Sequence, residues 1–148
     1  MKMSRKEFLA LKPSQLLSLA IDDLERIEAS PNYDVNMVVR HEAAPNGVCS
    51  VCFAGAIMAM SLGLELEEKA ENVFHGDEEM WGRFEALDAF RQGEIDEGLT
   101  CLKDYFDLPS DDEVDIPWQV EVVKYYDDPD QFKVDMDEIR HILEGADL

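Results

Sequence analysis

Cys49-Ser50-Val51-Cys52 is the one spacing in the chain that matches a known chemistry. Two thiols so placed can exchange a disulfide, and a thiol at the amino end of a helix has its pKa lowered by the helix dipole. With His41, the same pair supplies three zinc ligands, where a structural zinc site takes four. Cys101 or His75 completes that set only by folding back, and the sequence has no second C-x-x-C and no H-x-x-x-H. The plain alternative is that both cysteines are small apolar core residues among Val51, Phe53 and Ala54. A redox C-x-x-C normally follows a strand in a βαβ unit, and no such unit is legible here.

Other chemistries are weaker still. His141 sits beside Arg140 and reads as a surface or packing residue. The run from Asp127 to Glu138 imitates a calcium loop, but Pro129 holds its third position and Phe132 replaces the glycine at its sixth. There is no G-x-S-x-G, no phosphate-binding loop and no dinucleotide fingerprint. With 34 acidic residues, almost any carboxylate pair arises by chance. The expectation is a non-enzymatic protein, with no catalytic residue, no metal ligand and no cofactor assigned.

Charge is the stronger signal. The chain has 148 residues, with 34 acids against 13 bases and a net charge of −21. That balance excludes a direct nucleic-acid binder working through phosphate contacts, and docking on anionic lipid through a basic patch. The excess is uneven. Residues 1–64 hold seven acids and six bases, residues 65–92 nine and three, and residues 93–148 eighteen and four. Salt adaptation would acidify most of the surface, whereas the first third is nearly balanced. A concentrated acidic face attracts basic partners and speeds encounter, though a solvated face with no partner has the same composition. The candidate partner-binding residues are Asp104, Asp107, Asp111, Asp112, Glu113, Asp115, Asp127, Asp128 and Asp130, joined outward by Asp135, Asp137 and Glu138. Trp118, Tyr125, Tyr126 and Phe132 are the candidate apolar anchors.

These residues need elements to position them. Leu17, Ala20, Ile21, Leu24 and Ile27 recur at helical spacing between Pro13 and Ala29, with Asp22, Asp23, Glu25 and Arg26 mostly opposite. Pro13 suits a first turn, and Ser30-Pro31 stops the helix. Tyr33, Val35, Met37 and Val39 alternate as a half-buried strand, and Pro45-Asn46-Gly47 is a turn. From Pro45 to Leu64 there is no charged residue, and Val51 to Leu62 is apolar on all sides. This predicts a buried central helix ending at Gly63, with Cys52, Gly55, Ala56 and Ala59 as a small-residue stripe allowing close approach. A membrane span is disfavoured, because Glu65, Glu67 and Glu68 follow without Lys or Arg anchors.

Asp77 caps a predicted helix to Gln92, and a further helix runs over Ile95–Phe106. Pro109–Pro117 reads as an exposed acidic loop, Trp118–Val122 as a second strand, and Asp130–Leu143 as a last helix. The expected fold is α+β: a single mostly helical domain over 1–148, with a small antiparallel sheet, a buried central helix and an acidic carboxy-terminal third from about residue 93. The amino terminus lacks the apolar run of a secretory signal, and three cysteines give no even disulfide framework. A cytoplasmic protein with reduced thiols is the simplest expectation.

The stretch Val48-Cys49-Ser50-Val51-Cys52-Phe53-Ala54-Gly55-Ala56-Ile57-Met58-Ala59 resembles a C-x-V-C-x-A-G-A segment of small, acidic, uncharacterised proteins of bacteriophages and prophages. The likeness extends to the helix with Leu16-Leu17 and to Ala86-Leu87-Asp88-Ala89-Phe90-Arg91-Gln92-Gly93. It brings no catalytic residues and implies a context, a protein made in an infected bacterium that acts by binding. Phage products of this kind include inhibitors of restriction enzymes, CRISPR complexes, nucleases and polymerases. Together, charge and resemblance lead to an expected inhibitor of a basic nucleic-acid-handling host or defence protein, a DNA mimic being one form of it. The alternative is a thiol or zinc protein centred on Cys49 and Cys52.

Overall fold

The computed structural model describes residues 2–37, 39–43, 45–90 and 123–148, with backbone alone at 88–90. The expected helix Ile95–Phe106, the acidic loop Pro109–Pro117 and the strand Trp118–Val122 lie outside the described residues.

Helix α1 (Arg5–Leu9) opens on a capping box in which Ser4 Oγ accepts from Glu7 N and the Glu7 carboxylate accepts from Ser4 N. Helix α2 (Pro13–Ala29) has the predicted bounds, with Pro13 in its first turn. Its inward stripe is Leu16, Leu17, Ala20, Leu24 and Ile27, while Ile21 is only half-buried. Asp23 departs from the expected outer face. It is fully buried, accepts from Ser61 Oγ at 2.5 Å and Arg26 Nη1 at 2.7 Å, and burial raises its pKa.

Three short strands follow: β1 (Tyr33–Val35), β2 (His41–Ala43) and β3 (Cys49–Val51). The expected strand to Val39 is cut short because Val39 N turns back to donate to Asn36 O. The sheet order is β1-β3-β2, with β1 parallel and β2 antiparallel to the central β3. The sheet is therefore mixed, where a purely antiparallel one was expected. Cys49 and Val51 point into the core and Ser50 lies between them half-buried, the period of two that defines a strand.

Helix α3 (Phe53–Ala59) is buried along its whole length and is the expected central helix, shortened at both ends. Cys52 is its N-cap, and its sulfur accepts from Gly55 N at 3.4 Å. The chain leaves α3 through Gly63 at φ +67°. Helix α4 (Ala70–Val73) and helix α5 (Glu78–Phe90) come next, Asp77 Oδ1 accepting from Met80 N at the start of α5 as expected of a cap. Helix α6 (Pro129–Gly145) begins at the N-cap Asp128 and buries Phe132, Met136, Ile139 and Leu143. It packs on α2, which also packs on α3. The fold is thus α+β and mostly helical. Among the described residues, no helix is long and apolar enough to cross a membrane.

The small-residue stripe has one position with no tolerance. A Cβ on Gly55 would stand 1.6 Å from the Arg40 carbonyl oxygen and 2.8 Å from its carbon. Both are backbone atoms, so either α3 or the segment entering β2 must move. Gly55→Ala should cost about 3 kcal/mol or more. Gly145, with open space around it, should accept alanine within about 0.5 kcal/mol. Urea unfolding followed by circular dichroism reads both, and equal midpoints for the two variants would contradict the packing described.

Candidate functional site

Cys49 lies in the central strand and His41 on the neighbouring edge strand, and the two side chains meet inside the fold. The Cys49 sulfur is 3.6 Å from the His41 ring nitrogens, and His41 Nδ1 is 2.7 Å from the Glu68 carbonyl oxygen. A carbonyl only accepts, so Nδ1 carries the proton, and the sulfur, equidistant from both nitrogens, lies off the lone-pair axis of Nε2. These are the parts of a thiolate–imidazolium pair, held in the wrong environment for one. Both residues are buried. Burial pushes the Cys49 thiol pKa up and the His41 pKa down, and each shift favours the neutral form.

Both cysteines are buried, as the reading of them as small apolar core residues expects, and the premise of the reactive alternative, that Cys49 opens a helix, is corrected. Cys49 sits in a strand rather than at a helix amino terminus, so no helix dipole lowers its pKa. Cys52 is buried at the cap of α3. Among the described residues, no group of three His, Cys, Asp or Glu side chains is placed to hold a metal ion. His75 and His141 are exposed on other elements, and Cys101 lies outside the described residues.

The acidic candidates are only partly placed. Asp104, Asp107, Asp111, Asp112, Glu113, Asp115 and Trp118 lie outside the described residues. Asp127, Asp128 and Asp130 stand exposed together at the amino end of α6, where the helix dipole favours negative charge. Asp128 is also the N-cap, accepting from Gln131 N at 3.1 Å. Asp130 is 3.7 Å from Lys133, whose ammonium donates to Glu28 on α2 at 2.9 Å. Hydrogen bonding to Glu28 raises the Lys133 pKa, against the smaller effect of burial.

Farther along α6, Arg140 answers both Asp137 and Glu144 at 2.8 Å, and Lys12 answers Asp147 at 2.8 Å. Asp135 turns inward and accepts from Val123 N and Gln131 Nε2. Among the described residues of this face, Asp127 and Glu138 form no ion pair.

Two expected anchors are core residues. Phe132 packs edge-on against Phe53 and Tyr125, with ring centroids 5.4 and 5.8 Å apart. Tyr125 is buried with them and donates its hydroxyl to Glu28 at 3.0 Å. Tyr126 remains available at 61% exposure, its hydroxyl accepting from Met37 N. Helical spacing from Asp130 placed Phe132 without revealing its side. The buried partners Met136, Ile139 and Leu143 decide that.

Two outcomes follow. Site-resolved alkylation with iodoacetamide should leave Cys49 and Cys52 unmodified in the native protein and modify both in denaturant; rapid native labelling of Cys49 would restore the reactive-thiol reading. Stability should also fall as pH drops below about 6.5, because the unfolded histidine takes a proton that buried His41 refuses. The slope should approach at most about 1.4 kcal/mol per pH unit, and His41→Gln should flatten it. An unchanged slope in that variant would exclude His41 as its source.

No protein-family model, curated protein or solved structure matches the chain.

Proposed function

We propose that the protein is a phage-encoded, non-enzymatic acidic interaction protein. It binds and inhibits a basic nucleic-acid-handling host or defence protein, in the manner of anti-restriction or anti-CRISPR proteins, in the bacterial cytoplasm. The observation that carries this reading is the charge of the carboxy-terminal third, eighteen acids against four bases over residues 93–148. Residues 93–122 alone hold ten acids and one base. Such a field draws a basic partner over distance, and Asp127, Asp128 and Asp130 add three exposed carboxylates at the amino end of α6.

Charge density bears on whether the face imitates a duplex. Helix α6 has 17 residues and is about 26 Å long. Duplex DNA of that length carries about 15 phosphates. Between Asp127 and Asp147, seven carboxylates reach the surface, and Lys133, Arg140 and Lys12 already partner several of them. Helix α6 alone is too sparse for a mimic. Imitation of DNA requires the acids of residues 93–122 in addition, whereas electrostatic attraction of a basic protein does not.

The test immobilises the full chain, passes bacterial lysate over it with and without nuclease, and elutes with a salt gradient. The expected result is retention of one basic nucleic-acid-handling protein, released by salt, whose DNA binding the free chain then inhibits. Displacement by duplex DNA identifies mimicry. With the partner purified, Asp111→Asn, Asp112→Asn, Glu113→Gln and Asp115→Asn together should lower the on-rate about tenfold and raise the off-rate less. Affinity indifferent to those changes and to salt would remove the acidic third as the interface.

A further inference from the structure

The turn Pro45-Asn46-Gly47 lies between the edge strand β2 and the central strand β3, and all three residues are exposed. Asn46 Oδ1 accepts from Val48 N at 3.1 Å, so the side-chain amide is folded back along the main chain across Gly47. Gly47 has φ +82°, and beyond its chain neighbours nothing stands within 4 Å of the place a Cβ would occupy. The approach to its nitrogen is therefore open on that side.

A side-chain amide one residue ahead of such a glycine is open to attack by its own main chain. Gly47 N, on losing its proton to hydroxide or a buffer base, adds to Asn46 Cγ and closes a succinimide ring. Negative charge develops on Oδ1 during that addition, and the Val48 N–H already donates to this oxygen. The bond from Cγ to Nδ2 then breaks, and the nitrogen leaves as ammonia. Water opens the ring at either carbonyl by breaking its bond to Gly47 N. Opening at Cγ gives aspartate, and opening at the main-chain carbonyl gives isoaspartate, whose peptide link runs through the side chain. Nothing is oxidised or reduced: one amide and one water become one carboxylic acid and one ammonia.

The other asparagines separate exposure from ring closure. Asn32, Asn36, Asn46 and Asn72 are followed by Tyr33, Met37, Gly47 and Val73. Asn32 and Asn72 are exposed as Asn46 is, but a side chain on the next residue crowds the closing ring. Val73 N is in addition held within α4 by the Lys69 carbonyl at 3.3 Å.

We propose that Asn46 is a site of spontaneous covalent modification, converting through a succinimide to aspartate and isoaspartate in the folded chain. Each event adds a negative charge at the entry to β3. Isoaspartate also lengthens the main chain just ahead of Cys49, whose N donates to the Asn32 carbonyl at 2.9 Å.

The test incubates the full chain in mildly alkaline buffer made with heavy-oxygen water and follows each asparagine by peptide mapping and mass spectrometry. Asn46 should convert about tenfold faster, or more, than Asn32, Asn36 or Asn72. Both acid forms should appear at this position, each carrying an oxygen from the water. A parallel sample in urea should convert Asn46 within about tenfold of the native rate. Asn46→Gln should remove the acidic species that ion exchange resolves from the native chain over the same period. Conversion of Asn32 or Asn72 ahead of Asn46 would overturn the proposal. So would an Asn46 that stays intact in the native chain while the urea sample converts, or one that yields aspartate with no isoaspartate, which excludes the ring.

Discussion

The contact between Gly55 and the Arg40 carbonyl sets the distance on which the rest of the packing depends. It brings α3 directly against the backbone that leads into β2, leaving no room for even a methyl group. From that seat α3 touches α2, α5, β2 and β3, so two helices and the sheet take their spacing from it. Arg40 adds a second tie by laying its guanidinium over the Trp81 ring of α5 at 4.5 Å to the centroid. A short, wholly apolar helix with so few polar contacts of its own is held by shape.

Buried polar groups supply the specificity that apolar packing lacks. Asp23 joins the middle of α2 to Ser61 beyond α3, and His41 joins the sheet to the loop before α4 through the Glu68 carbonyl. Each buried group costs desolvation unless its partner is in place, so each penalises any shifted arrangement of the elements it joins. The same accounting explains the quiet chemistry of Cys49. A thiol and an imidazole at bonding distance remain neutral because the surroundings cannot support the ion pair. The pair therefore works as a buried packing contact between β2 and β3, the sulfur 3.6 Å from both ring nitrogens.

Helices with sharp ends were legible from the sequence. Pro13 and Ser30-Pro31 bound α2, Asp77 caps α5, and Asp128-Pro129 starts α6 one residue before the expected Asp130. Helix α1 went unread although Ser4 and Glu7 form a capping box, because five residues show no periodicity. Val51 was assigned to the central helix because a segment apolar on every side carries no period, and strand and helix then look alike. Of the site, the charge total was legible but its allocation was not. Nothing in composition separates Asp128, occupied as a cap, from Asp127, which caps nothing among the described residues, or turns Asp23 and Asp135 inward. A cleft lined from residues 2–5, 62–64 and 68–80 was invisible for a plainer reason, since none of these segments forms a motif.

Arg83 reaches from α5 to the end of α1, donating to the carbonyls of Phe8, Leu9 and Leu11 at 3.0, 2.6 and 3.0 Å. Its guanidinium closes the carboxyl end of a helix too short to persist alone, and Phe8 and Phe84 stack beneath it at 5.5 Å. The amino-terminal segment and α5 are thereby tied together through three hydrogen bonds from one side chain. The cleft lined by Met3, Leu62, Phe74 and Met80 therefore owes one of its walls to Arg83, a residue that does not line it.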